Sequence, residues 1–303
     1  MRTKNYEEEI IYAKSSEDKK FIYQLQKEAW NLSEEDIIQE EIINKLIEEK
    51  NIQIIKLNNE YKGFILGFKS GETEFNKELL KMKNNPGHFI TAIKEQINKN
   101  ESIYYTHMMA IKEESRGQKL GEKLKKASEK NALSKKCNIT SWTWDPLLAI
   151  NSKLNIHKLG VKISNLDQFV EDYYGTNVSG NYKAIPTDRF IALKYLNQEN
   201  KKIELKEITE YNTITKIKSV NELEILTKYN LCLNSEQTFL EIPKDYNNMK
   251  SNKITNEELQ KIKYNWRIGV REILKNYLSK GYAITDFISS KNEKQYYVLE
   301  KWK

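Results

Sequence analysis

The residues best suited to chemistry lie between Tyr104 and Gly121. An apolar run ends at Ile111, a short charged loop follows, and Arg116-Gly117-Gln118-Lys119-Leu120-Gly121 leads into an amphipathic pattern. A turn that opens a helix leaves the first backbone N–H groups without helical partners. The helix dipole adds partial positive charge at the same end. A pyrophosphate docks readily at such a place. Gly117 and Gly121 let the backbone approach an anion closely, and Arg116, Lys119 and Lys123 can screen its remaining charge.

The turn needs a strand before it and a helix after it, and the pattern supplies both. Residues 102–111 read as a strand and residues 118–135 as a helix with Leu120, Leu124, Ala127 and Leu133 among its apolar positions. Upstream, residues 10–12 read as a strand. Ser15 to Asp18 has capping-box spacing and opens a helix through Phe21, Leu25 and Trp30. Ser33-Glu34-Glu35-Asp36 repeats that signal and predicts a second helix. Residues 52–57 and 61–68 form a predicted hairpin turned by Asn58-Asn59-Glu60. Residues 71–100 read as an irregular insertion.

Downstream, residues 139–144 are a strand, and Asp145-Pro146 predicts a helix N-cap with proline at the first helical position. That helix is expected to run to Leu159 and stop at Gly160. Residues 189–196 close this unit as a strand, and the polar residues 197–202 read as a linker. Short strands over 203–207, 213–217 and 238–242 follow. Thr255-Asn256-Glu257-Glu258 is a full capping box, opening a long helix with Leu259, Ile262, Trp266, Val270, Ile273, Leu274 and Tyr277 on one face. Gly281 ends it before strands at 282–289 and 296–302. The expected organisation is a domain over 1–200 and a smaller α/β domain over 201–303, whose strand–helix–strand order echoes the first.

Composition narrows the classes. The chain has 303 residues, 39% apolar and 31% charged, with no apolar stretch of ~18 residues to span a bilayer. Its first nine residues lack the apolar core of a secretory signal, so the cytoplasm is the expected location. Two distant cysteines, Cys137 and Cys232, fit ordinary buried thiols better than a disulfide framework or a zinc site, and no metal is expected. The net charge of +7 welcomes an anionic partner. Lys and Glu are interspersed, however, with no basic stripe interleaved with aromatics, so nucleic acid is not the expected partner.

Arg116-x-x-Lys119-x-Gly121, set between a strand and a helix, resembles the Arg/Gln-x-x-Gly-x-Gly/Ala signature of the GNAT superfamily of acetyl-CoA-dependent acyltransferases. Lys119 stands where that signature has its central glycine. Lys158-Leu159-Gly160-Val161 is similar to the superfamily's Lys-Leu-Gly-Phe. A narrower resemblance, to a little-characterised branch of predicted GNAT acetyltransferases, covers nearly the whole chain. It rests on Thr106-His107-Met108-Met109, Thr143-Trp144-Asp145-Pro146-Leu147, Asp172-Tyr173-Tyr174-Gly175 and Ile185-Pro186-Thr187-Asp188-Arg189-Phe190. Its tail segments are Glu241-Ile242-Pro243, Trp266-Arg267 with Arg271, and residues 281–287.

The resemblance implies an α/β (α+β) fold with a GNAT-like mixed, mostly antiparallel central sheet flanked by helices. The strand–helix–strand echo in the last hundred residues suggests a second, degenerate GNAT-like unit at the C-terminus. It implies an acyl-CoA donor, most simply acetyl-CoA, and transfer to a small amine-bearing acceptor. Met109, Ala110 and Ile111 would contact the pantetheine arm, residues 116–121 the pyrophosphate, and Asn151 would join the cofactor side. The tyrosine that many members carry four residues before the Gly of the Leu-Gly ending is Ile156 here, so Tyr173, Tyr174 or His157 must substitute, or solvent does.

An amine attacks a thioester only when neutral, so a base is needed. His107, on the strand leading into the turn, has a suitable ordinary pKa of about 6.5; the plainer reading is a hydrogen-bonded core histidine. Asp145 can bind the acceptor amine or cap its helix. Asn151 and Asn155, one turn apart, can line a cleft or face solvent. Tyr173 and Tyr174 lie in a loop-like stretch where functional residues concentrate. Asp188 and Arg189 read as ion-pair formers at the sheet edge. Arg267 and Arg271 can grip an acidic substrate, or pair with Glu257, Glu258 or Asp286. Two further functions stand beside the small-molecule N-acyltransferase: an aminoacyl-tRNA-dependent transferase built from paired GNAT-like units, and a non-catalytic acyl-CoA-binding protein. Acceptor, acyl length and oligomeric state have no signature.

Overall fold

The computed structural model describes residues 7–69, 102–175, 185–198, 204–290 and 292–302. The expected insertion over 71–100 and most of the expected linker lie outside them. The first unit runs β1 (Glu8–Tyr12), α1 (Ser16–Trp30), α2 (Glu40–Glu48), β2 (Ile52–Leu57), β3 (Glu60–Lys69), β4 (Ile103–Ile111), α3 (Leu120–Ser134) and β5 (Ile139–Trp144). It closes with a short helix α4 (Ala149–Ser152), π-helical turns over Lys153–Lys158, β6 (Phe169–Val170) and β7 (Arg189–Tyr195). The rest of the chain adds β8 (Thr215–Val220), β9 (Leu223–Tyr229), β10 (Gln237–Ile242), α5 (Asn256–Ser279), β11 (Tyr282–Ser289) and β12 (Gln295–Lys301).

Seven strands form one sheet in the order β1-β2-β3-β4-β5-β7-β6. Every neighbouring pair is antiparallel except β4 and β5, which run parallel because α3 crosses between them. This is the mixed, mostly antiparallel sheet flanked by helices that the resemblance implied. Apolar residues of α1 and α2 (Phe21, Ile22, Leu25, Ile43, Leu46) pack on Ile52, Ile54, Phe64 and Leu66 on one face. On the other face Leu120 and Leu124 of α3 pack on Ile55, Leu57 and Ile65. The alternation along β2 and β3 that covers both faces is why these strands read as nearly continuous apolar runs.

Local signals explain the elements that formed and those that moved. Ser15 and Asp18 complete the capping box of α1, and Thr255 and Glu258 that of α5. Asn58 and Asn59, both at positive φ, turn the β2–β3 hairpin as expected. The second helix does not start at Ser33. The Ser33 hydroxyl bonds the Asp36 carboxylate at 2.8 Å, and buried Gln26 accepts from the Ile38 N–H at 3.2 Å, so the chain lies across α1 until Glu40. The helix expected from Asp145 begins only at Ala149. One Asp145 oxygen accepts from the Leu147 N–H at 2.8 Å, making a local turn instead of a cap. From Lys153 the bonds lengthen by one residue, with the Leu159 N–H donating to the Leu154 carbonyl at 2.9 Å.

In the second part, residues 204–207 form no strand; the Lys206 N–H donates to the Gln237 side chain at 2.7 Å. The β8–β9 hairpin, unforeseen, turns on Asn221 and Glu222, both at positive φ without a glycine to advertise it. Strand β6 was unforeseen as well. The order β10-β12-β11 places antiparallel β12 between β10 and β11. The chain order β10, α5, β11 repeats strand–helix–strand, but β10 and β11 are not adjacent as β4 and β5 are, and both pair antiparallel with β12. One core joins the two parts: Trp142, Trp144, Ile156 and Phe190 pack with Trp266, Ile273, Tyr277, Phe287 and Tyr297. Cys137 is buried as expected, whereas Cys232 is exposed. No helix among the described residues is long and apolar enough to cross a membrane.

Candidate active site at the parting of two parallel strands

Parallel pairing between β4 and β5 covers only Ile103 to Tyr105 against Ile139 to Ser141. Beyond it the strands part. Residues 106–111 keep their pairing with β3, and residues 142–144 keep theirs with β7, but no ladder bond joins the two. A bulge helps: Leu66 faces Met108 and Gly67 faces Thr106, leaving His107 as an extra residue in β4. Bulges bend a strand and re-aim its side chains. Met109 and Ile111 point to the α3 face and Ala110 to the α1–α2 face. Their backbone edge toward β5 is what remains for an extended ligand.

Where β4 ends, the chain makes a tight turn at Glu113–Ser115 and reaches Arg116. Gly117 has φ +80° and Lys119 φ +61°, after which α3 begins at Leu120. Lys119 thus adopts the left-handed backbone that a glycine at the same place would adopt freely. Among the described residues, nothing accepts from the N–H groups of residues 117 to 122, and no side chain caps the helix. The Leu120 side chain is buried against the sheet, so only its N–H can face a ligand. Gly121 leaves room, since a Cβ there would sit 3.6 Å from both Met109 and Leu154. Arg116 and Lys119 make no ion pair among the described residues. Lys123, expected to help, instead pairs with Glu8.

The candidate acid–base residues separate into two groups. His107 is only half-buried by surface, yet its removal from bulk water pushes the imidazole down to about 4. Its ordinary pKa, the basis for expecting a base at neutral pH, is therefore not retained, and no hydrogen bond holds it among the described residues. Its ring lies 6.0 Å from Tyr105 and 6.5 Å from Phe68. Tyr105 bonds Tyr173, which meets Tyr174 edge-on at 4.9 Å. The Tyr174 hydroxyl accepts from Arg189 at 3.1 Å. His107, Tyr173 and Tyr174 thus share one aromatic row. Burial pushes the phenols of Tyr105 and Tyr173 well up, which makes them poor proton donors to a thiolate.

Asp145 is not in that row. It is 1% exposed and forms a two-pronged ion pair with Arg267, at 2.8 and 2.5 Å. Burial works against its charge, but the Arg267 guanidinium holds its carboxyl below the usual range. One helical turn along α5, Arg271 grips Asp188, at 3.0 Å for its Nε, and reaches Glu171 at 3.5 Å. The ion-pair reading of Asp188 and of both arginines holds, with other partners than those expected. Glu257 pairs with Lys261, Glu258 caps α5, and Asp286 takes His157 at 3.0 Å. Asn151 is half-buried, whereas Asn155 is buried and accepts from Trp142 at 3.0 Å. Ile156 lies in the core, 2% exposed. Sequence reasoning missed Tyr105, which links His107 to Tyr173, and Lys125, which reads as one more surface lysine on α3 but is buried. Among the described residues, no group of three or more His, Cys, Asp or Glu side chains is arranged to hold a metal ion.

No family model matches the chain, and no curated protein matches it. Solved structures do. A polyamine N-acetyltransferase of Drosophila melanogaster is 11% identical, with a TM-score of 0.44, covering 63% of this chain and 100% of its own. Arylalkylamine N-acetyltransferase 2 of Aedes aegypti is 18% identical, with a TM-score of 0.42, covering 64% and 100%. An Arabidopsis thaliana protein in complex with the bisubstrate analogue CoA-Ac-MVNAL is 12% identical, with a TM-score of 0.42, covering 62% and 97%. What this chain can do has to follow from its own residues.

Proposed function

We propose that the chain is an acyl-CoA-dependent N-acyltransferase, most simply using acetyl-CoA, that acts on a small amine. One observation carries this reading: the open edge of β4 runs directly into the start of α3, where nothing among the described residues accepts from the N–H groups of residues 117 to 122. An arm containing amides adds to a strand edge as a further strand would. A pyrophosphate at its end is what a helix start with Gly117, Arg116 and Lys119 accepts. Few ligands combine both features at that spacing; coenzyme A does.

When bound, the thioester supplies an electrophilic carbonyl. The chain's part is to hold it at the parting of the strands, beside His107. A backbone N–H on β4 near the bulge would stabilise the oxyanion. His107, neutral above about pH 4, can accept a proton from the attacking amine. Its low basicity makes it a weak base, and proton loss through water shares the task. Tyr174, the phenol tied to Arg189, is the candidate donor to the leaving thiolate. Asp145 acts at a distance by fixing the end of β5, not by touching the acceptor.

Calorimetric titration with acetyl-CoA, followed by thiol release in the presence of a panel of small amines, tests the proposal. Saturable binding that weakens with salt, and amine-dependent thiol release, are expected. Absence of heat, with charged tRNA binding instead, would favour the aminoacyl-transfer reading. The buried Ile156 and the raised phenols of Tyr105 and Tyr173 favour a second reading, an acyl-CoA-binding protein without turnover; binding with no thiol release would establish it.

A further inference from the structure

Lys125 belongs to this region, and the proposed function leaves it unused. It lies on α3, one helical turn beyond Gly121 and on the same face. It is 4% exposed, and its Nζ stands 3.6 Å above the Trp142 ring. Trp142 is the first residue of β5 past its last pair with β4. Gly121 touches the β4 side of the same parting through Met109. Lys125 therefore looks onto the level where the thioester end of a bound arm would lie, from the helix side.

A buried ammonium wants a carboxylate. Glu129, one turn further, would be the natural partner, but Lys194 holds it at 2.6 Å. Among the described residues no hydrogen bond or ion pair satisfies Lys125. The group of Lys125, Lys194 and Glu129 thus carries two ammoniums and one carboxylate. The Trp142 face offsets part of the deficit. Burial still pushes the amine well below its usual range, with Glu129 opposing and Lys194 adding to the effect. A methionine or leucine would fill this place without such penalty, and the Lys125 Nζ is not sealed off, so an anion that enters the parting can reach it.

Resting on the acyl-CoA reading above, we propose that Lys125 determines donor specificity and selects an acyl group ending in a carboxylate, such as malonyl or succinyl. The terminal carboxylate would sit against the Lys125 ammonium and complete a two-by-two arrangement with Glu129 and Lys194. A neutral acetyl group leaves the ammonium unpaired.

The experiment titrates the full chain with coenzyme A, acetyl-CoA and succinyl-CoA, then repeats all three with Lys125→Met. Methionine conserves volume and removes a buried charge, so the variant is expected to fold; thermal melting checks it. The ratio of succinyl-CoA to acetyl-CoA affinity should be tenfold or more in the parent and fall to about one in Lys125→Met. Equal affinities in the parent would overturn the proposal, as would a succinyl preference that survives the substitution. A stable acyl adduct on Lys125, read by intact mass, would overturn it too, because the amine would then be a nucleophile. Binding of coenzyme A without acyl preference defeats only this inference, whereas no binding of coenzyme A at all defeats the function beneath it.

Discussion

Arg267→Met should be among the most destabilising single changes in this chain. Arg267 is 2% exposed and Asp145 1%, so neither charge has water to fall back on. Two hydrogen bonds join them, and Asp145 also holds the Leu147 N–H. Removing one member of a buried pair leaves the other charge uncompensated, which costs about 3–5 kcal/mol. The Arg267 Nε is itself buried without an acceptor among the described residues, so the intact pair is a smaller net asset than its two bonds imply. With a urea slope of ~3 kcal/mol/M, the midpoint should fall by about 1–1.7 M. Asp145→Asn alone should also destabilise, since Arg267 would be left charged. The double variant keeps an oxygen for Leu147 and removes both charges, so it should recover at least half of the loss. A cost below ~1 kcal/mol for Arg267→Met would refute the claim that this pair is closed to water. So would strict additivity of the two changes.

The pH dependence of stability gives a second check. The His107 imidazole falls from about 6.5 unfolded to about 4 folded, so between those values the unfolded chain binds the extra proton. Stability from this group is full above pH 6.5, declines as pH falls, and is lost by pH 4, amounting to at most about 3 kcal/mol. His107→Gln should flatten that window in chemical denaturation, and an unchanged slope would contradict the burial argument. Lys119→Gly, at φ +61°, should raise stability by about 1 kcal/mol in the same assay while weakening acetyl-CoA binding through the lost charge. Gly117→Ala, at φ +80° with open space around the new Cβ, tests backbone strain alone and should cost about 1–2 kcal/mol. Tyr174→Phe keeps the edge-on contact with Tyr173 and loses the Arg189 bond; thiol release should slow if Tyr174 is the proton donor, with acetyl-CoA affinity unchanged.

Much of the molecule was legible before its structure. Capping boxes at Ser15 and Thr255, the Asn58-Asn59 turn, and the strand–turn–helix around Arg116 are written in neighbouring residues, and their physics is local. A capping hydroxyl finds its N–H three residues away whatever the rest of the chain does. The same holds for the helix start at Leu120, whose free N–H groups follow from any helix that begins without a cap. The turn over residues 116–121 was therefore determined by sequence alone, as was the alternation that sends Met109 and Ile111 to one face and Ala110 to the other.

What the sequence could not decide was who meets whom across long separations. Asp145 reads as a helix cap, and becomes one half of a buried pair because Arg267, 122 residues later, is packed onto it. Asn155 is drawn into the core, where it accepts from Trp142 thirteen residues earlier, while Asn151 stays half-buried. Lys125 looks like one more surface lysine until α3 lies down on β5 and presses it onto Trp142. His107 keeps an ordinary pKa on paper and loses it in the fold. The parting of β4 and β5, on which the functional reading rests, is a property of the sheet and of no single strand. Pairing, burial and charge compensation are non-local terms, and only the tertiary structure sets them.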